Sequence, residues 1–188
     1  EARQEDLVQA TLGCIGAAVA ATRLVLGSKA HIAGSIAGGT HHAHRDFGSG
    51  FCVFNDCAIA ACVALEEYGL SRVLVVDLDV HQGNGTAQIF AGDDRVFTFS
   101  MHQQNGFPMK DRAVSDLDVE LPDGMRDAEY LAVLAEILPQ LMLDVRPGLV
   151  VYQSGVDPLE GDLLGRLALS RGGLQHRNAI VFEHVLRH

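Results

Sequence analysis

Apolar positions in this chain fall into two kinds of block, and each kind predicts a different element. Two long Ala-rich stretches read as helices. One covers residues about 4–26 and ends at Gly27, a residue suited to the left-handed position that closes a helix. The other starts near Asn55 or Asp56, both good caps, and stops at Gly69. Between them the apolar stretch His31–Ile36 predicts a first strand that runs into Gly38-Gly39-Thr40-His41-His42. Arg72–Leu78 is an unbroken apolar, β-branched run of the kind a parallel sheet buries on both faces. Further strands are predicted at Val96–Ser100, Leu117–Leu121 and Leu149–Gln153. Helices are predicted around Thr86–Phe90, over Ala128–Leu143 and over residues about 171–187. Pro139 should kink or restart the middle one, because proline removes a backbone bond.

Strands alternating with helices imply an α/β fold: an open parallel sheet with helices on both faces. No repeat or long linker divides residues 1–188, so one domain is expected. Open parallel sheets bind ligands at the carboxyl ends of their strands. Here those ends deliver His41-His42, then Asp77-Leu78-Asp79-Val80-His81, then Ser100 and His102, and lastly Asp157. Metal-ligand and acid–base residue types thus converge on one rim.

Composition narrows the choice only a little. The net charge of −10 over 188 residues argues against a nucleic-acid binder, which needs a basic face. The apolar run between Asp6 and Arg23 is interrupted by Gln9, Thr11 and two glycines, and reads as too mixed for a membrane span. Cys14, Cys52, Cys57 and Cys62 form no C-x-x-C pair and sit among apolar residues, which suggests reduced, packed thiols and a cytoplasmic setting.

Asp79 and His81 stand two apart at a strand end, so their side chains leave on the same side. Asp157 can add a third ligand from a neighbouring strand, leaving room for water and a carbonyl, as a catalytic zinc requires. Alone, Asp-x-His more often caps a turn; with Asp157 and the histidine pair added, a metal site is the better reading. Adjacent imidazoles in a glycine-flanked loop suit proton transfer, one as general base and the other as acid or electrostatic partner. Asp77 and Asn84 can fix their tautomers, and the uncharged Asn84 favours imidazolium less than an aspartate would. His31, His44, His102, His176, His184 and His188 read as helix, loop or surface residues, with His102 the one nearest the rim. The acidic run Asp116–Glu120 reads as a solvated strand edge, and Arg166 and Arg171 as surface residues.

The ordered segments Gly38-Gly39-Thr40-His41-His42-Ala43, Gly50-Phe51-Cys52, Asp77-Leu78-Asp79-Val80-His81-Gln82-Gly83-Asn84-Gly85 and Ser154-Gly155-Val156-Asp157-Pro158-Leu159-Glu160-Gly161-Asp162 resemble the histone deacetylase family. The likeness is strongest to class IV and bacterial members, and it covers nearly the whole chain. It implies an arginase/deacetylase fold and zinc-dependent hydrolysis of acyl-lysine, on a peptide or as an acetylated small amine such as a polyamine, with no direct nucleic acid and no membrane. It makes Asp79, His81 and Asp157 the zinc ligands, and His41 and His42 the tandem catalytic histidines. Asp77 and Asn84 become the partners of those histidines. The same resemblance makes Gly50, Phe51 and Phe107 part of a narrow tunnel for the acyl-lysine stem; by themselves the phenylalanines read equally well as core packing. It implies structural K+ at Asp77 and Ser100 with backbone of Asp79, His81 and Met101, and a second K+ near Phe90, Asp93 and Val96. Arginases, of the same architecture, hold two metals, but Gly83 and Leu159 stand where further carboxylates would be needed, so one metal is expected. Family members also carry a Gly-rich motif ending in a tyrosine that donates to the developing oxyanion. Tyr68, Tyr130 and Tyr152 lack that setting, and the sequence reaches His188 before the motif would appear. The expectation is therefore part of a longer catalytic domain or, alternatively, a homologue that holds zinc and acyl-lysine without turning it over.

Overall fold

A computed structural model describes residues 2–110 and 112–187, with side chains from Glu5 onward; His188 lies outside that set. The apolar runs form a parallel sheet of β1 (Val73–Asp77), β2 (Val96–Gln103), β3 (Leu117–Leu121) and β4 (Leu149–Gln153), in the order β3-β2-β1-β4. Around it lie α1 (Ala2–Leu26), α2 (Asp56–Tyr68), α3 (Asn84–Ile89), α4 (Asp127–Val145) and α5 (Arg171–Leu186). Side chains alternate across the pleat. Leu74, Val76, Phe99 and Met101 pack on Tyr130, Leu134 and Leu138 of α4 and Val181 of α5. Val73, Val75 and Val96 face the small residues Ala58, Ala61 and Ala64 of α2 on the opposite side. Both faces are covered, which explains why β1 is apolar without alternation. Its register aligns Asp77 with Ser100 of β2 and with Gln153 of β4, so three chains reach the rim at the same level.

Most element boundaries match the sequence pattern, and the departures have physical causes. His31–Ile36 is irregular rather than a strand, and Ile36 is fully exposed; Ala33-Gly34-Ser35 offers little to a pleated surface. The left-handed residue after α1 is Ser28, not Gly27, because the closing bonds run from Ser28 N to Val25 O and from Lys29 N to Leu24 O. Pro139 leaves α4 continuous; the carbonyl it leaves unpaired is that of Ala135, on the exposed side. Glu5–Leu26 is long and apolar enough to cross a membrane by length and composition, contrary to the sequence reading; one face packs on α2 and Arg23 pairs with Glu67, while most of the rest is exposed. The acidic run is not simply solvated: Asp116 accepts from the Thr98 amide and hydroxyl, tying β3 to β2, and Asp118 accepts from Ser115 N and Gln82.

Asn55 joins this scaffold to the site. Its Oδ1 caps α2 by accepting from Ala58 N at 2.9 Å, while its Nδ2 donates to His41 O, Ala43 O and Thr86 Oγ1. Asn55→Ala removes the cap and leaves buried acceptors without a donor. It is expected to lower unfolding free energy by about 2–3 kcal/mol in urea titrations. A loss below about 0.5 kcal/mol would mean water replaces the amide without cost.

Candidate metal centre

The strand ends carry the site. Beyond Asp77 the chain continues through Asp79 and His81, and beyond β4 it brings in Asp157. Ligand atoms of Asp79, His81 and Asp157 all lie within 4.8 Å of one another. His81 Nδ1 is 3.0 Å from Asp79 Oδ1 and 3.1 Å from Asp157 Oδ2. The remaining acceptor capacity is used to hold the loop: Asp79 Oδ1 accepts from His81 N, and Asp157 Oδ1 from Val80 N. Gly155 is required here, since a Cβ would collide with the Asp79 carboxylate. Burial disfavours the Asp79 anion, but His41 and His81 outweigh it and hold its carboxyl below the usual range. Burial and the charge of Asp79 push Asp157 up. Two carboxylates and one imidazole in a largely buried cluster fit a zinc ion with open positions. Gly83 and Leu159 supply no carboxylate for a second ion.

His41 and His42 are both buried, with ring centroids 4.1 Å apart. Their partners separate their chemistry. His41 Nδ1 lies 2.5 Å from Asp77 Oδ2, a buried pair. Burial works against its imidazolium, but Asp77 and Asp79 outweigh that and raise its pKa to about 9. His42 Nδ1 meets Asn84 Oδ1 at 2.7 Å, so Nδ1 donates and Nε2 is left as the acceptor in the neutral ring. Burial and the neighbouring His41 charge push His42 down to about 4. Asn84 is itself oriented by His44, whose Nε2 accepts from Nδ2 at 3.2 Å. His44, stacked on Phe47, is therefore a third histidine of this network rather than a bystander.

Phe107 stands edge-on to His42 at 4.7 Å and to His81 at 6.5 Å. Gly50, with φ +51°, lets the chain touch the His42 ring, where a Cβ would clash. Phe51 follows in the left-handed region (φ +64°) and is 100% exposed, so it is not core packing. A hollow of about 1030 Å³ reaches Asp79 and Asp157 from the β4 side, between α1, residues 31–36 and α5. Phe51 and Phe107 do not line it.

Asp77 and Ser100 are register partners on β1 and β2, beside the cluster. Ser100 Oγ bonds His102 Nδ1 at 2.9 Å, and His102, 1% exposed within β2, is a buried strand residue rather than a surface one. Phe90, Asp93 and Val96 form a tight turn in which Phe90 O accepts from Asp93 N and Asp93 O from Val96 N. His31 and His176 are exposed as expected, and Arg166 lies on the surface near Asp123. Cys14, Cys52, Cys57 and Cys62 are free thiols; Cys62 is exposed, not packed.

A profile of the histone deacetylase domain matches residues 2–188. An uncharacterized protein of Picosynechococcus sp. is 47% identical over 181 residues, covering 96% of this chain and 59% of its own length. Histone deacetylase 2 of Arabidopsis thaliana is 38% identical over 151 residues, covering 79% and 39% respectively. Histone deacetylase clr6 of Schizosaccharomyces pombe is 38% identical over 168 residues, covering 84% and 41%. The chain thus spans between about two fifths and three fifths of the length of these relatives. With a profile matched almost end to end on a parallel α/β sheet, the chain belongs to the histone deacetylase domain family.

Proposed function

We propose that this protein hydrolyses N-acyl amides with the help of one zinc ion, acyl-lysine being the favoured substrate. The observation that carries the reading is a pair of buried imidazoles, 4.1 Å apart beside a three-ligand cluster, one bonded to the carboxylate of Asp77 and the other to the uncharged amide of Asn84. Asp79, His81 and Asp157 would hold the zinc, which supplies Lewis acidity to a substrate carbonyl and to water. His42 takes a proton at Nε2 while Nδ1 stays bonded to Asn84. His41, with Asp77 behind it, presents positive charge to the developing oxyanion and a proton for the leaving amine. Phe107 shields the imidazoles from water and, with Gly50 and Phe51, forms the rim over which an alkyl stem enters. Asp77 and Ser100 remain the proposed position for a structural K+. The free thiols support a reducing, cytoplasmic setting.

The test is incubation of zinc-loaded protein with an acetyl-lysine peptide and, separately, an acetylated polyamine, with free amine and acetate quantified by mass spectrometry. Faster release from the peptide supports the acyl-lysine reading, and faster release from the polyamine transfers the activity to small amines. Zinc bound without release from either leaves a binding homologue.

A further inference from the structure

Arg177 of α5 heads the fully buried side chains by volume, at 1% exposure. Such a charge is costly to bury unless every donor is satisfied. Its guanidinium faces backbone. Nη1 donates to Gly155 O at 2.8 Å and to Leu78 O at 3.1 Å, and Nη2 donates to Ser154 O at 3.2 Å and Ser154 Oγ at 3.1 Å. Nε and Nη2 also reach Asn178 Oδ1, at 3.1 and 3.0 Å.

The place of these bonds matters. The β1–β4 ladder continues one step past the strands, with Leu78 N donating to Gln153 O. Beyond it the two chains carry the carboxylates of Asp79 and Asp157, and the carbonyls of Leu78, Ser154 and Gly155 turn to Arg177. Leu78 adjoins Asp79, and Gly155 precedes Asp157 by two residues. Gly155 also lies against Asp79, where an added Cβ would fall 2.8 Å from its Cα. One rigid planar group therefore grips both strand ends directly behind the ligands.

We propose that Arg177 is a positioning residue of the metal centre, its guanidinium setting the spacing of Asp79 and Asp157 and, through it, the affinity for zinc. The inference rests on the metal-site reading above. A lysine carries the same charge but lacks the planar fork needed to hold both chains at once.

The experiment measures zinc dissociation constants by chelator competition, and unfolding midpoints of the zinc-free protein. The proteins are the parent, Arg177→Lys, Asn178→Ala and the core control Val181→Ala. Arg177→Lys is expected to weaken zinc by about 10–100-fold, as loss of an outer-shell partner does. Asn178→Ala, at a half-buried position, should shift it the same way by about 3-fold. Val181→Ala should lower the midpoint and leave zinc affinity alone. A zinc constant in Arg177→Lys within about twofold of the parent overturns the proposal. So does an equal loss in Val181→Ala, which would make the effect one of general stability. If Arg177→Lys does not fold, unchanged affinity in folded Asn178→Ala overturns it instead. Failure of the parent itself to bind zinc overturns the metal-site reading and this inference together, whereas tight parent binding with indifferent variants overturns the inference alone.

Discussion

In a His42→Ala protein, turnover of an acyl-lysine peptide is expected to fall by about 10²–10⁴-fold while zinc content stays at the parent level. The imidazole contacts neither carboxylate ligand directly; it sits between His41, Phe107 and Asn84, so its loss removes a proton acceptor without removing a ligand. Retention of parent-like turnover would sink the role given to it. The pH profile supplies a second readout. His42 must be neutral to accept a proton, and its pKa is pushed down to about 4 by burial and by His41. The base form therefore prevails at neutral pH, and activity carried by His42 is lost only as pH falls through that low value. Asn84→Asp sets a carboxylate against Nδ1, which favours the imidazolium and raises the pKa. The acid limb of kcat/KM should then move to higher pH. An unmoved limb would assign it to some other group.

The second large effect is on the metal itself. The parent is expected to hold about one zinc per chain and Asp157→Ala little, by mass spectrometry of the purified proteins, because a catalytic site of this kind rests on three protein ligands. The loss should exceed the roughly 10–100-fold cost of removing an outer-shell partner. Asp157 also accepts from Val80 N, so the variant should lose about 1 kcal/mol of stability besides, small enough to leave a folded protein for comparison. Equal zinc in parent and variant would remove Asp157 from the ligand set. A stoichiometry near two, with manganese preferred, would favour a dinuclear site despite Gly83 and Leu159.

Much of this was legible in the chain. Asp79 and His81 could be paired because residues two apart on an extended chain share a side. Asp157 could be added because parallel strands end on one rim, and the register confirms that Asp77 and Gln153 lie level. Asn55 and Gly69 announced α2 because capping is local chemistry, complete within a few residues. Gly27 misled for the same reason: two residues in succession could take the turn, and the bonds back to Val25 and Leu24 chose Ser28.

What the sequence determined by itself was therefore local or periodic: the strands, the helix ends, the ligand types and the order in which they reach the rim. Tertiary structure decided everything that depends on a partner distant in the chain. Arg177 looks like any arginine on a helix until α5 packs across the ends of β1 and β4 and buries it against carbonyls some twenty and a hundred residues away. His44 joins the site only because α3 brings Asn84 to it, and His102 proves buried, with Asp118 of the neighbouring strand 4.0 Å away. The different charge states of His41 and His42, neighbours in sequence, come from Asp77 and Asp79 favouring the imidazolium of one, and from burial and the His41 charge disfavouring that of the other. Burial and charge are properties of the assembled neighbourhood, and no pattern of residue types along the chain carries them.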